Sequence, residues 1–246
     1  MKGKLIWLTK VAFLALIVVI LSGFSTLNAS RENNAPLISP PRNADVFTVQ
    51  YVGQFGSIGF GDGQFILPWG IAVNTSGSVY VADVGNNRTQ IFGPAGNYLG
   101  QFGSTGSGNG QFKYPYGVAI NSTGTVYVTD MLNNRTEIFG PAGNYLGQFG
   151  STGSGDGQFK TPYGVAVNST GAVYVTDGGN NRTQIFGPAG NYLGQFGGSG
   201  SGDGQFNVPM GIAINNTNGV VYVADVGNNR TEIFGPAGNY LGQFGS

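Results

Sequence analysis

Neither cysteine nor histidine occurs among the 246 residues of this chain. The first absence excludes disulfides, thiolate metal sites and lipid attachment to Cys. The second removes the commonest general base and the commonest transition-metal ligand together, and with them any Ser-His-Asp arrangement. A Ser-Lys pair would have to recruit Lys113 or Lys160, and neither lies in a nucleophile motif. Charge is scarce as well, with Asp, Glu, Lys and Arg making up 9% of the chain. Three of the 11 basic residues, Lys2, Lys4 and Lys10, crowd the N-terminus, leaving 8 against 11 acidic residues and a net charge of −3 elsewhere. So weakly acidic a surface gives nucleic acid no electrostatic footprint. No metal or cofactor is expected, and these absences argue against an enzyme.

Long apolar runs are missing too, with one exception. Val11 to Leu21 (VAFLALIVVIL) is an unbroken run of 11 residues behind the basic segment. As a helix it spans about 16 Å, short of a ~30 Å hydrocarbon core and suited to the h-region of a signal peptide. Cleavage after Ser25 puts Gly23 and Ser25 at the small-residue positions, whereas cleavage after Ala29 fits less well because Leu27 is bulky. The competing reading is an uncleaved anchor over residues 5–27, which would hold the protein to the membrane. Residues 1–29 are therefore read as signal peptide or signal anchor, exporting the remainder to the cell surface or beyond. Residues 30–46, with three prolines and no periodicity, read as a linker.

Glycine, by contrast, is abundant at 45 residues, and it recurs in register with a repeat. The stretch 98–144 returns almost letter for letter at 145–191 and, with Asn218 inserted, at 192–239. A diverged copy fills 51–97, and residues 240–246 begin another. A fixed period of 47 residues is a statement about architecture. In the second copy, Tyr116–Asn121, Thr125–Asp130, Arg135–Phe139 and Tyr145–Phe149 carry β-branched and aromatic residues between Gly- and Asn-rich turns. That predicts four short antiparallel strands per repeat, with no window suited to a helix. A lone four-stranded sheet cannot bury both faces, but radial stacking as the blades of a β-propeller does so. Residues 47–246 are thus read as one all-β propeller domain.

The repeated pattern G-x-G-Q-F-x-x-P-x-G-[IV]-A-[IV]-N-x-x-G-x-V-Y-V-[AT]-D-x-x-N-N-R-T-[QE]-I-F resembles the NHL repeat, four times over. Departures are small: Asn74, Asn121, Asn168 and Asn215 stand where such repeats often carry Asp. Thr89, Thr136, Thr183 and Thr231 stand where they usually carry Ile. The resemblance implies a propeller, commonly of six blades, that serves mainly as a binding platform, with a minority of enzymes. Four blades is the low end for a closed ring. A small closed ring, an open arc and closure through a second copy (a homo-oligomer) are the alternatives, because exposed edges invite pairing. Phe47–Phe55 (FTVQYVGQF) reads as an extra outer strand ahead of the first blade.

Several constellations invite a chemical reading. Asp83, Asp130, Asp177 and Asp225 end the second strands, each followed by Asn-Asn-Arg. As a carboxylate ring they would bind Ca²⁺, but identical recurrence favours an Asp–Arg tie inside each blade. The Gly-Asp-Gly-Gln-Phe segments (Asp62, Asp156, Asp203, with Asn109 in the second copy) lack the helix N-terminus and Lys of a phosphate cradle and read as turns. Glu137 and Glu232 alternate with Gln90 and Gln184 at what reads as an outward strand position, an exchange that a catalytic acid could not survive. Asn74, Asn121, Asn168 and Asn215 head Asn-x-Ser/Thr sequons in polar hairpin loops and are candidate N-glycosylation sites. A second sequon set at Asn87, Asn134, Asn181 and Asn229 reads as structural turn.

Differences among the copies gather before the first strand and after the second. In an up-and-down blade those two loops emerge at one end and the sequon loop at the other. Trp69, Lys113, Tyr114, Tyr116, Lys160, Tyr163 and Met210 are therefore expected on one face, as a candidate ligand-binding surface. The competing expectation is that they only plug the channel mouth. The chain reads as an exported, non-enzymatic binding scaffold for a protein or glycan at the cell surface. A structural cell-envelope repeat protein is the alternative, and a propeller hydrolase or lyase comes third.

Overall fold

The structure is a computed structural model that describes residues 52–245, so the signal-peptide, anchor and linker expectations lie outside the described residues. It holds four four-stranded antiparallel sheets, each with its strands in chain order. Blade 1 is Pro68–Val73, Val79–Asp83, Arg88–Phe92 and Tyr98–Phe102. Blade 2 is Pro115–Ile120, Val126–Asp130, Arg135–Phe139 and Tyr145–Phe149. Blade 3 is Pro162–Val167, Val173–Asp177, Arg182–Phe186 and Tyr192–Phe196. Blade 4 is Pro209–Ile214, Val221–Asp225, Arg230–Phe234 and Tyr240–Phe244. This is the expected all-β propeller, with strand bounds within a residue of those read from the second copy. The only helices among the described residues are single 3₁₀ turns after each second strand, such as Met131–Asn133.

The strand sequence V-Y-V-[AT]-D is apolar on both faces, and blades 2 and 3 are covered on both sides. Tyr80 and Ala82 of blade 1 pack with Val126 and Val128 of blade 2, and Phe112, from the loop before blade 2, is sealed between them. The same set recurs between blades 2 and 3 around Phe159, and between blades 3 and 4 around Phe206. Fully burying each of these phenylalanines stabilises the stack by about 1.5–3 kcal/mol. Polar ties cross the same seams: the hydroxyls of Tyr80, Tyr127 and Tyr174 donate to the carbonyls of Pro141, Pro188 and Pro236 at 2.7–2.9 Å.

Nearest the axis the innermost strands approach so closely that only glycine fits. A Cβ on Gly117 would lie 2.6 Å from the Tyr163 carbonyl of the next blade, and Gly70 and Gly164 meet the carbonyls of Tyr116 and Met210 in the same way. Gly211, on blade 4, meets only Ala224 of its own blade. Innermost strands touch from blade 1 to 2, 2 to 3 and 3 to 4, with no comparable contact from blade 4 back to blade 1 among the described residues. The four blades form an open arc.

One expectation fails. Residues 52–55 of the anticipated strand Phe47–Phe55 are not extended into any sheet, and residues 47–51 lie outside the described residues. An outer strand bonds only to a third strand inside it, and none precedes blade 1 among the described residues. Its Phe55 nonetheless packs on Phe92 at a 4.7 Å centroid distance, the place that Phe102 takes on Phe139 at 4.5 Å. The next copy's tail, Tyr240–Phe244, fills the outer position of blade 4 itself.

Replacing Gly117 by Ala is expected to destabilise the single chain by about 1–3 kcal/mol through overpacking, and Gly211→Ala, at dilutions where the chain is monomeric, to stay within about 0.5 kcal/mol. Urea melts of the two variants check this, and equal losses at both positions would refute the close-approach account.

Candidate functional site

Each second-strand aspartate is fully buried and saturated by donors. Asp83 accepts from the Ile66 backbone N–H through Oδ1 at 2.8 Å, and from Asn86 Nδ2 and Arg88 Nε through Oδ2, both at 2.8 Å. Arg88 spends its remaining nitrogens on Gln101 Oε1 at 2.6 Å and the carbonyls of Gly61 and Gln64 at 2.7 Å. Asp130–Arg135, Asp177–Arg182 and Asp225–Arg230 repeat the pair at 2.9–3.0 Å. A carboxylate so engaged has no lone pair facing open space for a cation. These residues tie the Gly-x-Gly-Gln-Phe loop to its blade and serve the fold.

That loop is not an anion cradle either. Its glutamine folds back so that Gln111 Oε1 accepts from the Gly108 N–H at 2.9 Å, as Gln158 and Gln205 do in their copies. Asp62, Asn109, Asp156 and Asp203 stand exposed at its tip.

The Glu/Gln position is a correction: Gln90, Glu137, Gln184 and Glu232 are fully buried, not outward. The third strand is roofed by the loop, so strand alternation misassigns it. Gln90 donates to the Gln64 carbonyl at 2.7 Å and toward Asp83 Oδ2 at 3.2 Å, and accepts from the Gly63 N–H at 2.9 Å. Glutamate in the same place cannot donate when ionised. Glu137 Oε1 takes the Gly110 N–H and lies 2.9 Å from Arg135 Nη2, while Oε2 of Glu137 and of Glu232 has no partner. Burial, opposed by Arg135, pushes the Glu137 carboxyl up to about 7, and burial raises Glu232 as well.

The sequon loops are Asx turns. Asn121 Oδ1 accepts from the backbone N–H of Thr123 and Thr125 and from the Thr123 hydroxyl, and Asn74 and Asn168 do the same in their copies. Asn215 keeps only the bond from Thr217, because the inserted Asn218 caps Val220. A cleft of about 580 Å³ lies between the loops of blades 2 and 3, lined by Asn121, Thr123, Tyr127, Ser169 and Pro188, and a smaller one of about 290 Å³ is bordered by the sequon loops of all four blades. Most of these linings recur in every repeat, which gives them no blade-specific chemistry. The second sequon set is structural: Asn87, Asn134 and Asn181 take the left-handed conformation that closes each 3₁₀ turn, and each accepts from the N–H of Tyr114, Thr161 or Val208 on the next blade at 2.8 Å.

The variable residues do come together. Loop and 3₁₀ turn pair directly, with the Leu132 N–H donating to the Lys113 carbonyl at 3.1 Å and the Gly179 N–H to the Lys160 carbonyl at 2.8 Å. A register shift between Pro115 and Val118, repeated in each blade, inserts one extra residue into the innermost strand at Pro-x-Gly. Such bulges re-aim side chains, and here x is Trp69, Tyr116, Tyr163 and Met210. Trp69 stacks on Tyr116 at 4.6 Å and Tyr116 meets Tyr163 edge-on at 5.0 Å. Trp69 is 59% exposed, Tyr116, Tyr163 and Met210 are half-buried, and burial raises the Tyr116 hydroxyl well above its ordinary value. Thr129 and Thr176 fix this row by donating to the Tyr163 and Met210 carbonyls at 2.6 and 2.7 Å. Lys113, Tyr114 and Lys160 are exposed beside it, with Leu67, Leu132 and Val226. The [AT] alternation at Ala82, Thr129, Thr176 and Ala224 is the sequence signal for this anchoring.

Three segments, 65–92, 159–186 and 206–234, match the family model for the NHL repeat, so the repeats of blades 1, 3 and 4 are similar to that type. Protein lin-41 of Caenorhabditis elegans is 56% identical over 43 residues, covering 18% of this chain and 4% of that protein. The E3 ubiquitin-protein ligase TRIM71 of Rattus norvegicus is 49% identical over 43 residues, 18% of this chain and 5% of its own length. Among solved structures, catalytically inactive virginiamycin B lyase from Staphylococcus aureus with Quinupristin superposes with a TM-score of 0.56 at 17% identity, over 73% of this chain and 55% of that one. A Nidogen/Laminin complex gives 0.55 at 18% identity, over 72% and 64%. The chain therefore spans a small fraction of its curated relatives and about half to two thirds of these structures, whose likeness shows the fold alone.

The folded pKa of Glu137, about 7, stands above its unfolded 4.5. Its stabilising contribution is therefore full below about pH 4.5 and lost as pH rises through about 7. Changing Glu137 and Glu232 to Gln is expected to raise stability at pH 8 by about 1–3 kcal/mol, by satisfying an orphaned buried atom, and to leave stability at pH 4 nearly unchanged. Denaturant melts at the two pH values check the sign; an equal gain at both would count against it.

Proposed function

We propose that this chain of NHL repeats is an exported, non-enzymatic binding scaffold that presents one variable face to a protein or glycan at the cell surface. The observation that carries the reading is the continuous aromatic row Trp69–Tyr116–Tyr163, extended by Met210 and flanked by Lys113, Tyr114 and Lys160. Pre-stacked aromatics offer wide contact area at little entropy cost, and neighbouring ammonium groups add directional donors. The rest of each repeat is occupied by ties that hold the fold.

The lyases among the structural neighbours, at 14–17% identity, bring no residue-level argument to this chain. A catalytic acid or base must reach a substrate. The most perturbed carboxyl here, Glu137, is buried beneath its loop. Export rests on the N-terminal sequence: a basic segment, the apolar run at Val11–Leu21 and small residues after it. Glycosylation at Asn74, Asn121, Asn168 and Asn215 would leave the variable face bare, because those loops emerge at the opposite end.

Once residues before Thr26 are removed, Trp69 is the sole tryptophan of the chain. Its fluorescence is expected to shift when the purified protein is titrated with cell-wall glycan fragments or surface proteins of its host. Tyr116→Ala or Tyr163→Ala is expected to weaken that binding about 10–30-fold. Ligand affinity untouched by both substitutions would move the binding site elsewhere. Intact mass should begin at Thr26, and a full-length mass confined to the membrane fraction would replace the cleaved leader with an anchor.

A further inference from the structure

Among the described residues the arc leaves two unlike faces uncovered, and each is the counterpart of the other. On blade 4, Phe244 is 56% exposed, whereas its equivalents Phe102, Phe149 and Phe196 are 7–8% exposed under the following blade. Tyr222 and Ile233 beside it are half-buried, against a sealed Tyr127 and Ile138. On blade 1, Ile71 is 41% exposed where Val118 and Val165 are 6% exposed beneath the preceding blade. Phe65 and Val79 are half-buried, where Phe112 and Val126 are sealed. These are the two halves of a contact that the chain already makes three times within itself.

We infer that a second copy of this chain supplies the missing neighbour: blade 4 of each copy seats on blade 1 of the other, closing two four-blade arcs into one ring. Two of the polar ties of the internal seam have like donor and acceptor groups standing at the two edges. Tyr222 stands where Tyr80, Tyr127 and Tyr174 donate to a proline carbonyl, and Pro94 stands where Pro141, Pro188 and Pro236 accept. Asn229 stands where Asn181 accepts from the Val208 N–H, and Leu67, with φ 54°, where Val208 has φ 56°. Gly211 leaves room at the axis for the Trp69 carbonyl of the second copy, as Gly164 does for that of Met210. Phe244 would take the seat on Phe92 that Phe55 occupies loosely, at 41% exposure. A head-to-tail contact that closes after two copies is a permitted cyclic assembly, and the resulting eight blades lie within the range of known propellers.

The chain has no cysteine, which makes the contact directly testable. In the full chain, Leu67→Cys with Asn229→Cys, treated with a short bis-maleimide, is expected to give a covalent product of twice the chain mass. Asn181→Cys with Val208→Cys, across the internal seam, must cross-link within one chain and calibrates the reach. Adding Gly211→Ala to the first pair is expected to cut the two-chain product at least tenfold, while the same change added to the Asn181→Cys with Val208→Cys pair leaves the internal product intact. An intrachain product from the first pair would mean that a single chain closes on itself, and no product beside a working internal control would mean that the faces stay apart. A ladder beyond two chains would replace the closed pair with an open fibre. Each of these three results overturns the inference.

Discussion

The buried aspartate–arginine pair is the interaction on which each blade depends. A buried ion pair alone stabilises little, because desolvation offsets the Coulomb gain, and removing one partner costs about 3–5 kcal/mol. Its effect here is geometric. Asp130 holds the Lys113 N–H and Arg135 holds the Gln111 carbonyl, so the two ends of the Gln-Phe-Lys segment are pinned from one side. Phe112 lies between those two anchors and is thereby delivered into the seam with the preceding blade. Polar saturation inside a blade thus sets apolar packing between blades, and the same coupling recurs with Phe159 and Phe206.

Much of this was legible in the sequence because the repeat is faithful. Period, strand count and strand bounds follow from turn residues at fixed offsets, and V-Y-V-[AT]-D announces a sheet covered on both faces. The Glu/Gln position was not legible, because alternation along a strand says nothing about a loop that folds over it. That residues 52–55 join no sheet was also hidden: a strand motif needs a partner strand, and the sequence of the motif is the same whether or not one precedes it. At Thr89, Thr136 and Thr183 the resemblance to repeats that carry Ile gains a physical sense. Their hydroxyls are buried without partners, so packing alone employs these side chains.

The candidate face was legible only as a set of differences. Sequence comparison among copies placed Trp69, Tyr116, Tyr163 and Met210 at one end. It could not show that they touch, since contact depends on the one-residue bulge at Pro-x-Gly and on how closely glycine lets neighbouring strands approach. The sequons divided for a similar reason. Both sets satisfy the same three-residue rule, but only one lies in a hairpin loop, while the other closes a helical turn and reaches the next blade.

Variation at the face is constrained by the row itself. A side chain on Gly178 would collide with the Tyr163 ring, so the small residue in the 3₁₀ turn and the aromatic on the strand are one choice made twice. Blade 2 solves the same problem differently, with Met131 at the turn position and Tyr116 wedged between Trp69 and Tyr163. Because each ring rests on its neighbour, replacing one changes the support of the next. A ligand that meets this face therefore meets a surface shaped by several blades together, whereas each opposite loop is built independently around its own asparagine. That asymmetry is the physical ground for proposing recognition at the end with fewer repeated contacts: its shape belongs to this chain and not to the repeat.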